Sequence, residues 1–263
     1  MGRARRGLLG VLLVAALLLF TIASTVRAEL TAGGDLFVKF SGGISPNALP
    51  RETRAPIAVK VAGTVSTLSG ERPPALRRIA IAINRGGRLD AHGLPVCRRA
   101  QIQPSSTAEA RRRCGSALVG EGSFDANVAF PEQSAFPSHG HVLAFNAIVG
   151  GRTAILAHVY GRQPAPITRI IVFRIRESAG TYGTVLTASV PEAVNQWGYL
   201  THFSLDLHRS FTYRGRRRSY LSAACDAPVG FPGATFPFAH AAMSFADGRT
   251  LASTLTRSCR VRR

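Results

Sequence analysis

Apolar and polar positions alternate along much of the chain. Val59, Val61 and Val65 alternate in "AVKVAGTV", and Ile79, Ile81 and Ile83 do so in "RIAIAIN". "RIIVFRIR" sets Ile171, Phe173 and Ile175 against Val172, Arg174 and Arg176, while "THFSLDLH" sets Thr201, Phe203, Leu205 and Leu207 against polar neighbours. A period of two marks a strand with one buried face. Turn chemistry separates the runs, in "GERPPA", "RGGRLDAHG", "GRQPAP" and "FADGRT", where Asp247-Gly248 predicts a tight hairpin. About ten short strands at hairpin-like spacing predict a mainly β fold, an antiparallel β-sandwich. With no internal repeat or low-complexity linker, residues 29–263 are expected to form one domain.

One segment breaks the alternation and reads as a short helix over about residues 106–114. Ser106 and Glu109 make a capping box, Ala108 and Ala110 favour helix, and Gly115 stands where a C-terminal cap belongs. Arg111, Arg112 and Arg113 then occupy the last turn, where the helix dipole favours cations. They directly precede Cys114, and clustered positive charge is what turns a thiol into a nucleophile. The negative end of the dipole opposes a thiolate at that same position, since reactive cysteines prefer the other end of a helix.

The first residues bear on Cys114 too. Arg3, Arg5 and Arg6 precede an almost unbroken apolar run from Leu8 to Ala23, and Val26-Arg27-Ala28 offers small residues for cleavage. This predicts a secretory signal peptide over residues 1–28. The run is shorter than the roughly 20 residues of a spanning helix, and an uncut membrane anchor is the alternative. Arg5-Arg6 leaves general and twin-arginine export both open. In an exported chain, an even count of four cysteines reads as two disulfides. Locality pairs Cys97 with Cys114 and Cys225 with Cys259, each worth roughly 3–4 kcal/mol on the chain-entropy model. Cys114 is therefore expected to be half of a staple.

Charge changes the picture less than its size suggests. The formal net charge is +19, yet Lys39 and Lys60 are the only lysines beside 31 arginines, the pattern of a GC-rich coding bias. A surface of this sign attracts anionic polymers and lipid headgroups, more weakly as salt rises. Export makes anionic envelope polymers the expected partners and disfavours nucleic acid. The densest stretch is "FTYRGRRRSYL", where Phe211, Tyr213 and Tyr220 interleave with Arg214, Arg216, Arg217 and Arg218. Its composition is that of single-strand binders, and its spacing is that of two strands joined at a basic Gly215 turn. Those four arginines are the candidate basic surface.

Candidate chemistry is sparse. His202, Ser204, Asp206 and His208 share one strand face, with neighbours about 7 Å apart. Asp206 and His208 could hold a metal only with ligands from elsewhere, such as His139 or His141 of "SHGH". A solvent-facing polar stripe accounts for the same residues. The glycines of "FSGGISP" make a turn with no phosphate-binding helix after it, and the chain has no P-loop, Gly-x-Ser-x-Gly, calcium loop or glycosylation sequon. No catalytic residue, metal or cofactor is implied.

Taken together, "FSGGISPNALP", "GLPVC", "CGSALVGEG", "YGT", "SYLSAAC" and "FADG" resemble recurrent elements of exported β-sandwich proteins of high-GC Gram-positive bacteria, a group with no assigned activity. The resemblance implies fold and export and transfers no site. The expected function is a secreted or envelope-associated binding or structural protein. The alternative is an extracellular hydrolase or metal-binding protein using the Asp206/His208 face.

Overall fold

The computed structural model describes residues 28–191 and 198–262. The apolar run of the expected signal peptide lies outside them. The alternating runs form strands β1 (Glu29–Gly33), β2 (Leu36–Ser45), β3 (Ala48–Leu49), β4 (Ala55–Pro56), β5 (Ala58–Thr67), β6 (Leu76–Asn84) and β7 (Gly87–Leu89). Two helices follow, α1 (Arg99–Ile102) and α2 (Thr107–Cys114). The long strands β8 (Leu118–Val128), β9 (Phe136–Val149), β10 (Arg152–Gly161), β11 (Ile167–Glu177), β12 (Tyr182–Ser189) and β13 (Gly198–Leu207) come next. The chain finishes with β14 (Ser210–Tyr213), β15 (Arg216–Ser219), β16 (Leu221–Ala223), β17 (Gly233–Phe245) and β18 (Thr250–Val261).

Thirteen of these strands belong to one sheet, in the order β1-β2-β5-β13-β8-β9-β10-β11-β12-β6-β17-β18-β3. Every pairing is antiparallel except the short contact of β3 with β18. Where the sequence suggested two stacked sheets, thirteen of the described strands thus form one sheet that curls, beside the small sheets β14-β15 and β4-β16-β7. Strand twist accumulates across so many strands, and it brings the first strand beside β18. There the Thr31 hydroxyl donates to the Ala252 carbonyl at 3.0 Å, the Thr256 N–H donates to the Glu29 carboxylate at 3.1 Å, and Arg249 bridges to the Gly33 carbonyl and Asp35. The edge is closed by side chains rather than by a backbone ladder.

Both predicted disulfides are present, Cys97–Cys114 and Cys225–Cys259, with Cα separations of 5.5 and 5.7 Å, and all four cysteines are buried. Two disulfides are consistent with an oxidising, extracytoplasmic location. The capping box also forms: Ser106 accepts from the Glu109 N–H, and the Glu109 carboxylate accepts from the Ser106 N–H at 2.9 Å. These bonds, the backbone one first, hold the Glu109 carboxyl below its ordinary range. Gly115 keeps right-handed helical angles and leads into a short 3-10 turn instead of a left-handed cap. No helix among the described residues is long and apolar enough to cross a membrane.

The two faces of the sheet differ. On the outside of β9, β10 and β11, the helices and their disulfide cover Leu143, Phe145, Leu156 and Ile170, none more than 3% exposed. Elsewhere the outer face is charged, with Lys60, Arg78, Glu121, Asp125, Arg174 and Asp206 on it. The inner face is apolar. This polarity is the reverse of a membrane-spanning barrel, whose lipid face is apolar and whose interior is polar. One end of the interior is plugged by the small sheet β4-β16-β7, backed by the Cys225–Cys259 bridge and by Leu94 and Tyr220. Burial pushes the Tyr220 phenol well up and keeps it protonated.

Candidate functional site

Inside the curled sheet lies a cavity of about 780 Å³, lined from ten of the sheet's strands. An eight-stranded barrel is just wide enough for side chains to fill its interior, and width grows with strand number. A sheet of this many strands must therefore flatten, be plugged, or enclose space. This one is plugged at one end and encloses space over the rest. The lining positions of β10, Ile155 to Gly161, alone span about 20 Å of strand.

The wall is built from the positions that alternation assigns to one face. Direct partners across the sheet share a face, and Val61, Leu205, Gly122, Val142 and Val159 form one such row. The isoleucines of β6, at 79, 81 and 83, line the opposite side. Many of these side chains are only half-buried, including Val59, Val61, Ile171, Phe173, Phe203 and Leu205. A packed interior would bury them fully, because protein cores leave few voids larger than a water.

Two aromatic rings show how the space is kept. Phe203 is the direct partner of Gly63, and its ring lies so close over that glycine that a Cβ there would meet the ring at 2.5 Å. Phe124 is the partner of Gly140, which in turn faces Gly161, and its ring lies across both. Each ring takes the space that a side chain at its partner glycine would fill, and both rings line the cavity. Phe40 completes the first cluster, edge-on to Phe203 at 5.9 Å between centroids.

Among the described residues, the inner face away from the plug carries one charge amid this apolar wall, on Arg169 of β11, in the phase of Ile167, Ile171 and Phe173. It stands near the end opposite the plug. Its Nη1 donates to the neighbouring Thr168 carbonyl at 3.2 Å, its Nε is buried without a hydrogen-bond partner, and no carboxylate among the described residues pairs with it. The remaining charges on the lining, Arg85, Arg88 and Asp226, belong to the plugged end.

The residues singled out by sequence lie elsewhere. Asp206 faces outward, 3.3 Å from the Lys60 ammonium and 3.2 Å from His208 Nδ1. Ser204 meets the Ser123 hydroxyl at 2.9 Å, and His139 pairs with Asp125 at 2.6 Å. The Asp206 pair and the His139 pair are thus separate exposed contacts, and no group of three metal-capable side chains forms among the described residues. The basic stretch folds as the expected hairpin, with Arg214 and Gly215 at positive φ in the turn. Arg218 is tied to Asp90 at 3.0 Å, and both Arg214 and Arg218 lie over the Tyr213 ring; Arg216 and Arg217 are exposed.

Sequence reasoning missed the interior site, though its signals were present. Glycine inside a strand marks a close approach, and Gly63, Gly140 and Gly161 all stand in strands. An arginine in the apolar phase of "ITRIIVFRI" breaks a rule that the rest of β11 keeps. Searches against family models, curated proteins and solved structures find no match to this chain, so the site is read from its own geometry.

Proposed function

We propose that this protein is an extracytoplasmic binding protein whose curled sheet encloses an elongated apolar molecule of lipid character. The single observation that supports it is the cavity of about 780 Å³ walled by isoleucine, valine, leucine and phenylalanine. Ligand sites commonly measure about 300–1,000 Å³ and are mostly apolar. Water is a poor tenant, because a bound water needs two to four polar partners and dry apolar cavities instead accept apolar guests. The exposed arginines of the β14–β15 hairpin would serve as the contact to anionic envelope polymers or lipid headgroups.

Native mass spectrometry of the protein purified from its own host tests the reading. A bound mass, one per chain, that organic extraction removes and that lipid restores is the expected result. A bare chain mass, with no thermal shift from any fatty acid, fatty alcohol or isoprenoid, would overturn it.

A further inference from the structure

We infer that Arg169 is the head-group anchor of this lumen, and that the ligand is a single-chain amphiphile ending in a carboxylate. The inference rests on the lumen reading and adds the chemistry of one end of the ligand.

A guanidinium on an apolar wall is costly to the extent that its N–H groups are kept from water without acceptors, as the Arg169 Nε is. A buried charge is tolerated when it is paired, and an arginine cannot escape by losing its proton. Arg169 is half-buried, with its Nε buried and unbonded, and among the described residues its one hydrogen bond is to the carbonyl of the preceding residue. Its neighbours on the inner face are Val159 across the β10 ladder and Ile167 and Ile171 along β11. None of these offers an acceptor side chain. An arginine presents a planar fork that carboxylates meet with two parallel bonds. A ligand carboxylate would thus supply the acceptors that Arg169 lacks among the described residues.

Position agrees with this chemistry. Arg169 is two residues from the start of β11, near the end away from the plug, while Leu221 and Ala223 of the plug close the far end of the cavity. From Arg169 to Phe173 the wall runs about 13 Å in an apolar phase. An acyl chain lying along it would place its acid at the arginine and its methyl end toward the plug. Arg85 and Arg88 make weaker candidates, since both are exposed and share their rim with Asp226.

The test compares palmitic acid with cetyl alcohol, the same chain without the charge, by displacement of a fluorescent apolar probe from the intact, delipidated protein. The expected result is binding of the acid about 10- to 100-fold tighter than the alcohol, the range of hydrogen bonds to a charged group. Arg169→Met should erase that difference by weakening the acid far more than the alcohol, and continued binding of the alcohol shows that the lumen is intact. Equal affinity for acid and alcohol in the wild-type protein would overturn the inference and leave the lumen reading standing. Failure of both ligands to bind would overturn the lumen reading itself. Should Arg169→Met fail to fold, the wild-type ratio decides alone. Cetyl phosphate extends the series: tighter binding than palmitic acid would replace the carboxylate with a phosphate head and overturn that part of the assignment.

Discussion

Strands β9, β10 and β11 present two faces with opposite fates. Their outer face, under the helices, buries Leu143, Phe145, Leu156 and Ile170 almost completely. Their inner face leaves Val142, Val159, Ile171 and Phe173 half-buried around open space. The same backbones carry both, and the apolar content is similar. What differs is the partner: α1 and α2 can be drawn against the outer face by the Cys97–Cys114 staple, whereas the inner face looks across a sheet too wide to collapse. The void is therefore a property of architecture, not a shortage of large side chains.

Substitutions on the two faces should break this symmetry most visibly. Phe145→Ala should cost about 3–5 kcal/mol, the range for a fully packed ring. Phe173→Ala should cost about 1 kcal/mol, the transfer part for a half-buried ring next to existing space. Urea midpoints at unchanged slope measure both. Similar costs at the two positions would mean that the inner face is as tightly packed as the outer one.

Next in size is the staple. Replacing Cys97 and Cys114 together by serine opens a loop with a sequence separation of 17 and should cost about 3 kcal/mol. Apolar-ligand affinity should stay unchanged, because the bridge serves the outer face alone.

The glycine beds sharpen the contrast from inside. Gly63→Val should push the Phe203 ring into the lumen and weaken apolar-ligand binding about tenfold or more, with the far-UV spectrum preserved. Unchanged affinity would show that the ring has room elsewhere.

Acid should act on the outer face first. His158 is 0% exposed beneath the helices, and one ring nitrogen, Nε2, lies 3.0 Å from the Ser105 carbonyl. Burial holds its pKa below the ordinary value. The unfolded chain therefore takes up a proton near pH 6.5 while the folded protein does not. Stability is full above that pH and declines as pH falls below it. A series of melting temperatures, repeated on His158→Asn, should show this acid limb in the wild type and a weaker one in the variant.

The smallest effect is expected on the exposed polar stripe. Asp206→Asn and His208→Gln should each change stability by less than about 0.5 kcal/mol and leave ligand affinity unchanged. A hydrolytic activity lost on either substitution would instead move the function to that face.

Much of the architecture was legible one strand at a time. "RIAIAIN" and "RIIVFRIR" put the correct residues on one face, Asp247-Gly248 marked the β17–β18 hairpin, and Ser106 with Glu109 marked the start of α2. The site was not legible, because a period of two reports that a face is covered without saying by what. The same isoleucines would fit a packed sandwich or the wall of a lumen.

The sequence by itself thus determined the strand phases, the helix cap and, through an even and locally spaced cysteine set, both disulfides. These depend on residues near one another in the chain or on simple counting. Only the tertiary structure decided that thirteen strands share one sheet, that its edges meet through Glu29, Arg249 and Thr256, and that Arg169 faces inward without a carboxylate partner among the described residues. Those outcomes depend on strand order and accumulated twist, which are set by contacts between residues far apart in the chain.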